Sequence, residues 1–456
     1  MKPSFTFLVF LFCFFLSVQS VAQRSNIPGS SELLRMSLEQ AQAYALENNY
    51  DLINSATDVE IARKMVKQNT AIGLPQINAG VDYLDYLVIP TQMIPNFFTQ
   101  PPNPSELIPV KFGATYNMSV KGTLTQLLYS GQYLVGLQTA KAYLETSKQK
   151  NLKDKVDVRD LIADIYFRLL VVDEGIKILD STYMVVSKLV EEIRKSYKVG
   201  ILEDIEVDQA ELNRSNLWAT LTYTKNQRTL VYANLKFIIG LKDNQELELT
   251  DNLNYFLAQV NPNELLNQQF DYQSNIDYKL LKKADYLTLM QYKLSKTTYQ
   301  PTLSGFLGAS TSAQRNTWSF FNSKEVWYPT VNFGISLQIP IWSSGGRKYA
   351  VDQARLNVEK TKVTDEKMRV GLELQVATVR TEFNNAYTIY KNKEKGFETA
   401  LRIYEKTMEK YKQGMVGSTD LNQRYQQFLS ANSDYMQSIY ALLSQKIKLS
   451  KLLEKF

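Results

Sequence analysis

Histidine is absent, and cysteine occurs once, as Cys13 inside an apolar leader. Removal of that leader leaves neither thiol nor imidazole. Disulfides, Cys/His zinc sites, Ser-His-Asp triads and Cys-His dyads are then excluded. Neither sign of charge dominates: 52 Lys and Arg against 46 Asp and Glu give a net charge of +6. With no basic run, that balance gives no support for a nucleic-acid partner. After residue 22 no apolar stretch reaches the length of a membrane-spanning helix, so any crossing must be by strands. Composition points away from most enzyme chemistry, and the chain is expected to be no enzyme and to need no cofactor or metal. Proline is withheld from long regions. Of 13 prolines, none falls between residues 110 and 261 or after Pro340. Those two voids are where long helices can form.

What is present begins with residues 1–22, which read as a signal peptide. Lys2 supplies the positive end, Phe5 to Leu16 the apolar run, and Ser20-Val21-Ala22 the small residues before cleavage at Gln23. The mature length suits two or three domains or one elongated architecture.

In the first proline-free region Val158, Ile162, Ile165, Leu169, Val172, Ile176, Leu179, Tyr183, Val186, Val190, Ile193 and Tyr197 step by four and three. This heptad pattern predicts coiled-coil packing. The pattern recurs 214 residues later, from Leu372 through Phe383, Tyr390 and Tyr404 to Tyr411, interrupted at Lys393 and Thr407. Tyr197-Lys198-Val199-Gly200 is echoed by Tyr411-Lys412-Gln413-Gly414, and Leu128-Tyr129-Ser130-Gly131 by Ile341-Trp342-Ser343-Ser344-Gly345. The chain therefore reads as two copies of one unit.

Strand-like sequence precedes each long helix. Phe112, Ala114, Tyr116, Met118, Val120, Leu124 and Leu128 alternate with polar residues, as do Val331, Phe333, Ile335, Leu337, Ile339 and Ile341. A period of two with one apolar and one polar face is a strand between two media. Six prolines from Pro90 to Pro109 sit in the extra length of the first copy, which predicts a surface loop there.

The expected organisation has a first repeat over 23–240. It holds a helix, a β-hairpin at about 76–128, a long helix at about 131–197 and a helix at about 204–240. A linker or equatorial segment covers 241–274. The second repeat, 275–456, holds a helix starting near Asn275, a hairpin at about 302–341, a long helix at about 346–411 and a helix at about 418–456. Ser37 is expected to cap the first helix, which should run through Gly73. The fold class is mostly α with a transmembrane β part. Four strands per chain leave open edges that lipid does not tolerate, so copies must complete a barrel. Two chains give eight strands and a filled interior, whereas three give twelve and a lumen.

These words and their order resemble the TolC outer-membrane efflux family. The matching words are Ser37-Leu38-Glu39-Gln40-Ala41 with Ala45-Leu46-Glu47-Asn48-Asn49, and Leu74-Pro75-Gln76. In the second repeat they are Pro340-Ile341-Trp342 with Gly345-Gly346-Arg347 and Ala354, then Tyr411 with Gly414, Ser418, Asp420 and Leu421. The resemblance implies a homotrimer in outer-membrane lipid, with a 12-stranded barrel and a periplasmic α-barrel. It implies docking to a periplasmic adaptor (membrane fusion) protein and, through it, to an inner-membrane transporter. The implied function is a passive exit duct of a tripartite efflux or secretion system. The alternative is a non-conducting periplasmic coiled-coil scaffold or adaptor.

Glu203, Asp204, Glu206, Asp208 and Glu211 are five acids within nine residues after the Gly200 turn, and Asp420 follows the Gly414 turn. Acids favour the first turn of a helix, and Ser418 or Thr419 is a natural cap. The resemblance implies a second role, an acidic ring at a closed periplasmic gate. Asp420 matches one family aspartate, and its copy-one counterpart is Glu206, with Asp204 and Asp208 beside it. Gln423 stands where a second family acid would be. Gly200, Ile201, Leu202, Gly414, Met415 and Val416 match turn positions that adaptor tips contact in the family.

Overall fold

A computed structural model describes residues 33–98, 100, 101, 103–242 and 245–454. The expected leader, residues 1–22, lies outside the described residues. The chain begins with β1 (Leu33–Met36), α1 (Leu38–Asn48) and α2 (Tyr50–Ala71). Strands β2 (Gln76–Asp85), β3 (Thr91–Asn96), β4 (Asn103–Lys111) and β5 (Tyr116–Ser130) lead into α3 (Gly131–Lys198) and α4 (Asp204–Ile239). Next come β6 (Glu246–Leu249), α5 (Leu253–Ala258), α6 (Pro262–Asn267) and α7 (Ile276–Lys296). Strands β7 (Thr302–Arg315) and β8 (Tyr328–Gln338) precede α8 (Gly346–Lys412) and α9 (Ser418–Leu453).

Helix therefore dominates, in the two regions without proline. The 68 residues of α3 and the 67 of α8 each extend about 100 Å at 1.5 Å per residue. Ser130 caps α3 by accepting a hydrogen bond from Tyr133 N–H. Helices α4 and α9 are 36 residues each and fold back along α3 and α8 respectively.

The heptad residues of α3 supply two successive cores. Ile162, Ile165 and Leu169 join an equatorial core with Met36, Leu247, Phe256 and Leu442. Leu179, Val186, Val190 and Ile193 join a second core with Leu217, Leu221, Tyr404, Tyr425 and Phe428. The stripe stops at Ile193, because Tyr197 is exposed. In α8 the stripe holds at Leu372, Val376, Val379, Phe383 and Tyr390, but Lys393 is exposed and pairs with Asp434 at 2.7 Å.

Four long strands form one antiparallel sheet in the order β2-β5-β7-β8. The central pair, β5 with β7, joins the two halves of the chain: Val120 faces Thr311 and Leu124 faces Leu307. A register shift between Leu127 and Tyr129 takes Leu128 out of the alternation. Strands β2 and β8 are the open edges.

Three local expectations change. The proline-rich segment is not simply a loop, since β3 and β4 pair antiparallel, with Met93 opposite Pro109 and Pro95 opposite Leu107. A two-stranded ribbon has only edge strands, where a missing N–H is tolerated. The first helix does not run through to Gly73. Asn49 adopts an extended conformation (ψ 128°) and caps α2 by accepting from Leu52 N–H. Ser37 does cap α1, in a reciprocal arrangement with Gln40. Within 241–274 lies a structure that periodicity did not signal. Strand β6 pairs in parallel with β1, and Asp251 accepts hydrogen bonds from Leu38 N–H (2.8 Å) and Tyr166 O–H (2.9 Å).

Candidate functional site

The ends of the molecule differ in chemistry. At one end the sheet separates two kinds of surface. Cross-strand partners lie on one face. One face carries Ile77, Val81, Val120, Leu124, Leu307, Val331, Phe333 and Ile335. Phe333 is 85% exposed and Ile335 70% exposed, so this apolar face has no cover among the described residues. The other face carries Asn78, Asp82, Ser119, Lys121, Thr123, Ser310, Ser312, Thr330 and Asn332. Asp82 and Lys121 pair across it at 2.7 Å. Aromatic side chains gather at the end of the sheet remote from the helices, where Phe320 packs edge-on against Tyr83 and Trp318. No helix among the described residues is long and apolar enough to cross a membrane.

At the other end, each long helix closes with the same turn. Gly200 and Gly414 take left-handed φ values of 78° and 72°, which only glycine adopts without strain. Ile201 N–H donates to Ser196 O, and Met415 N–H to Lys410 O, both at 2.9 Å. Ile201 and Met415 are 73% and 67% exposed, while Leu202 and Val416 are half-buried in a groove between the turns. The turn residues singled out in the sequence thus come together, with Ile201 and Met415 the exposed apolar side chains among them.

The acids separate into different environments. Glu206 is half-buried and accepts a hydrogen bond from Tyr411 O–H at 3.1 Å. Burial first, and then the Glu206 carboxylate, push the Tyr411 phenol up to about 12. Asp420 lies in the first turn of α9, 3.4 Å from Arg424 one turn on. Asp204 is exposed and accepts from Ile205 N–H, and Asp208 is exposed. Glu211 belongs to a different group. It pairs with Arg194 of α3 and, at 2.5 Å, with Arg214. The N-cap of α9 is Gly417, not Ser418 or Thr419. The Ser418 hydroxyl instead donates to Gln209 Oε1 at 2.9 Å.

Two hydrogen bonds, Tyr411–Glu206 and Ser418–Gln209, therefore tie α4 to the α8–α9 pair beside the turns. A cavity of about 30 Å³ lies behind them, lined by Val190, Glu206, Gln209, Asn422 and Tyr425. Sequence reading named Glu206 but missed its partner. Tyr411 is 205 positions away and reads there as one more heptad aromatic. Among the described residues no group of three Asp, Glu, Cys or His side chains is placed to hold a metal ion. What the arrangement can do chemically is hold two helical hairpins together through neutral and charged hydrogen bonds.

Residues 287–454 match the family model described as outer membrane efflux protein. No curated protein matches the chain. Among solved structures, the CmeC outer membrane channel of Campylobacter jejuni is 17% identical with a TM-score of 0.67, covering 91% of this chain and 85% of that one. The open state of the MtrE outer membrane channel of Neisseria gonorrhoeae is 17% identical with a TM-score of 0.67, covering 91% and 88%. A membrane protein from Pseudomonas aeruginosa is 13% identical with a TM-score of 0.71, covering 93% and 94%. Residues 287–454 match the outer membrane efflux protein family, and the chain as a whole shares its fold with the outer membrane channels CmeC and MtrE.

Proposed function

We propose that this protein is the exit duct of an efflux system, seated in the outer membrane with its long helices in the periplasm. The observation that carries the reading is the sheet, with one apolar face, one polar face and two open edges, attached to helices about 100 Å long. Lipid leaves no backbone polar group unpaired, so the β2 and β8 edges need partners from other copies. Three copies supply twelve strands. At about 4.8 Å between strands and a tilt of about 40°, twelve strands enclose a backbone diameter of roughly 24 Å, against roughly 16 Å for eight. The larger value leaves a lumen. The helices favour the same assembly: Tyr349, Leu356, Val363 and Val370 are exposed on α8 at a spacing of seven, an unpartnered stripe suited to a neighbouring copy.

In this reading the chain is two structural repeats divided by the 241–274 segment. The trimer conducts passively and receives substrates through a periplasmic adaptor from an inner-membrane transporter. The exposed Ile201 and Met415 and the groove residues Leu202 and Val416 form the adaptor-facing surface, with Gly200 and Gly414 setting the turns. Asp420, Glu206, Asp204 and Asp208 surround the periplasmic entrance. Threefold symmetry makes each a ring of three acids, which raises the local preference for cations. Mass measurement in detergent tests the assembly. A trimer is expected, and a stable monomer retaining all its strand content refutes the barrel.

A further inference from the structure

We propose that Gly80, Gly308 and Gly334 set the bore of the duct by letting longer side chains lie flat against its wall. The inference rests on the reading of the polar sheet face as the lumen. Cross-strand pairing puts Gly80 opposite Lys121, Gly308 opposite Asn332, and Gly334 opposite Phe306, all on that face. In each pair the larger side chain leans over the glycine. A Cβ on Gly334 would lie 2.7 Å from Cζ of Phe306 and 2.9 Å from its Cε1. One on Gly80 would lie 3.2 Å from Cε of Lys121, and one on Gly308 would overlap Oδ1 of Asn332. Asp82, 2.7 Å from Lys121 Nζ, holds the ammonium down along the wall.

Phe306 shares this face with Leu84, Leu127 and Tyr328, and it is half-buried, whereas Phe333 on the opposite face is 85% exposed. The difference follows from the glycine beneath the ring. Cross-strand aromatic cover of a glycine also strengthens a sheet, so the proposal needs a readout of bore as well as of stability. A duct of roughly 24 Å backbone diameter has little room for three phenyl rings and three extended lysines standing away from its wall. With a Cβ branch at residue 334, the only direction left for the Phe306 ring is into the lumen.

The test uses the full-length trimer in planar bilayers, with polyethylene glycols of graded mass on the side opposite the helices. The readout is the largest polymer that enters. Gly334→Val should lower that cut-off, and Phe306→Ala in the same chain should restore it. Phe306→Ala alone should leave the cut-off unchanged, because a flat ring occupies little of the bore; a wider cut-off in this variant overturns the proposal. A wild-type cut-off in assembled Gly334→Val trimers overturns it too. Gly122→Val, on the apolar face, should have no effect. Narrowing by Gly122→Val but not by Gly334→Val would mean the faces are exchanged, which overturns the lumen reading itself. Should Gly334→Val not assemble, Asp82→Asn remains. It frees Lys121, and the trimer should shift toward anion selectivity; unchanged selectivity counts against a wall-held lysine. Failure of the wild-type chain to form a trimer overturns the duct reading and this proposal with it, whereas a wild-type cut-off in assembled Gly334→Val trimers overturns the proposal alone.

Discussion

Replacing Tyr411 with Phe removes one hydroxyl and keeps the ring. That hydroxyl donates to Glu206 at 3.1 Å, and it links the helical hairpin of the first half to that of the second beside the periplasmic turns. Hydrogen bonds to charged groups contribute about 1.5–3 kcal/mol. Glu206 is only half-buried, and water can replace the lost donor, so a loss of about 1.5 kcal/mol per chain is the reasonable figure. Each 1.4 kcal/mol is tenfold in an equilibrium constant. Independent opening of one chain then becomes about tenfold more frequent, and concerted opening of three chains up to about a thousandfold. Ser418→Ala removes the neighbouring neutral bond to Gln209, worth about 0.5–1.5 kcal/mol, and should produce the same change more weakly. Single-channel recording is the assay. Tyr411→Phe should show longer or more frequent high-conductance openings with the trimer intact. Dwell times and conductance equal to wild type would refute the view that this bond holds the entrance shut.

Ile335→Arg or Val120→Arg puts a cation on the apolar face at a cost of roughly 2–4 kcal/mol at the bilayer midplane, so membrane insertion should fall; the share of protein recovered in the outer-membrane fraction reports it. Leu179→Ala removes a buried member of the second core and should cost roughly 2–5 kcal/mol, while Lys177→Ala, on the exposed side of α3, should be close to neutral in thermal unfolding. Asp420→Asn should reduce cation preference and block by divalent cations while the trimer stays folded; reversal potentials and block curves measure this. Burial pushes the Asp157 carboxyl up, but hydrogen bonds from Lys153 and Lys451, both 2.5 Å, outweigh it and leave its pKa below the ordinary Asp value of 3.8. A lowered acid contributes stability above that ordinary value and loses it as pH falls through the depressed one. Asp157→Asn should therefore lower the melting temperature at neutral pH, with the difference shrinking below about pH 4.

The long helices were legible because their signal is redundant. Proline is missing over whole regions, and the apolar spacing of three and four persists from Ile162 to Ile193. Strand alternation was legible for the same reason, down to the polar residues Ser119 and Lys121. Features of short range or very long range were not. Asn49 breaks α1 from α2 through one side-chain hydrogen bond, which a periodicity count passes over. Strands β1 and β6 have four residues each and pair across 213 positions, too short for alternation to show. The β3–β4 ribbon was hidden by its prolines, which mark loops only where a strand needs both edges bonded. Beside the two turns, the spacing of the acids revealed where charge collects. It did not reveal that Glu206 is held by Tyr411 while Glu211 belongs to Arg194 and Arg214, because those partners are brought together by helix pairing.

The most direct test of the exit-duct reading is ion conduction by the purified, full-length protein in a planar lipid bilayer. Discrete conductance steps from a trimer are expected, small for wild type and larger for Tyr411→Phe. A correctly folded protein that conducts no ions, in wild type and in Tyr411→Phe alike, would contradict that reading and leave a non-conducting periplasmic scaffold as the better description.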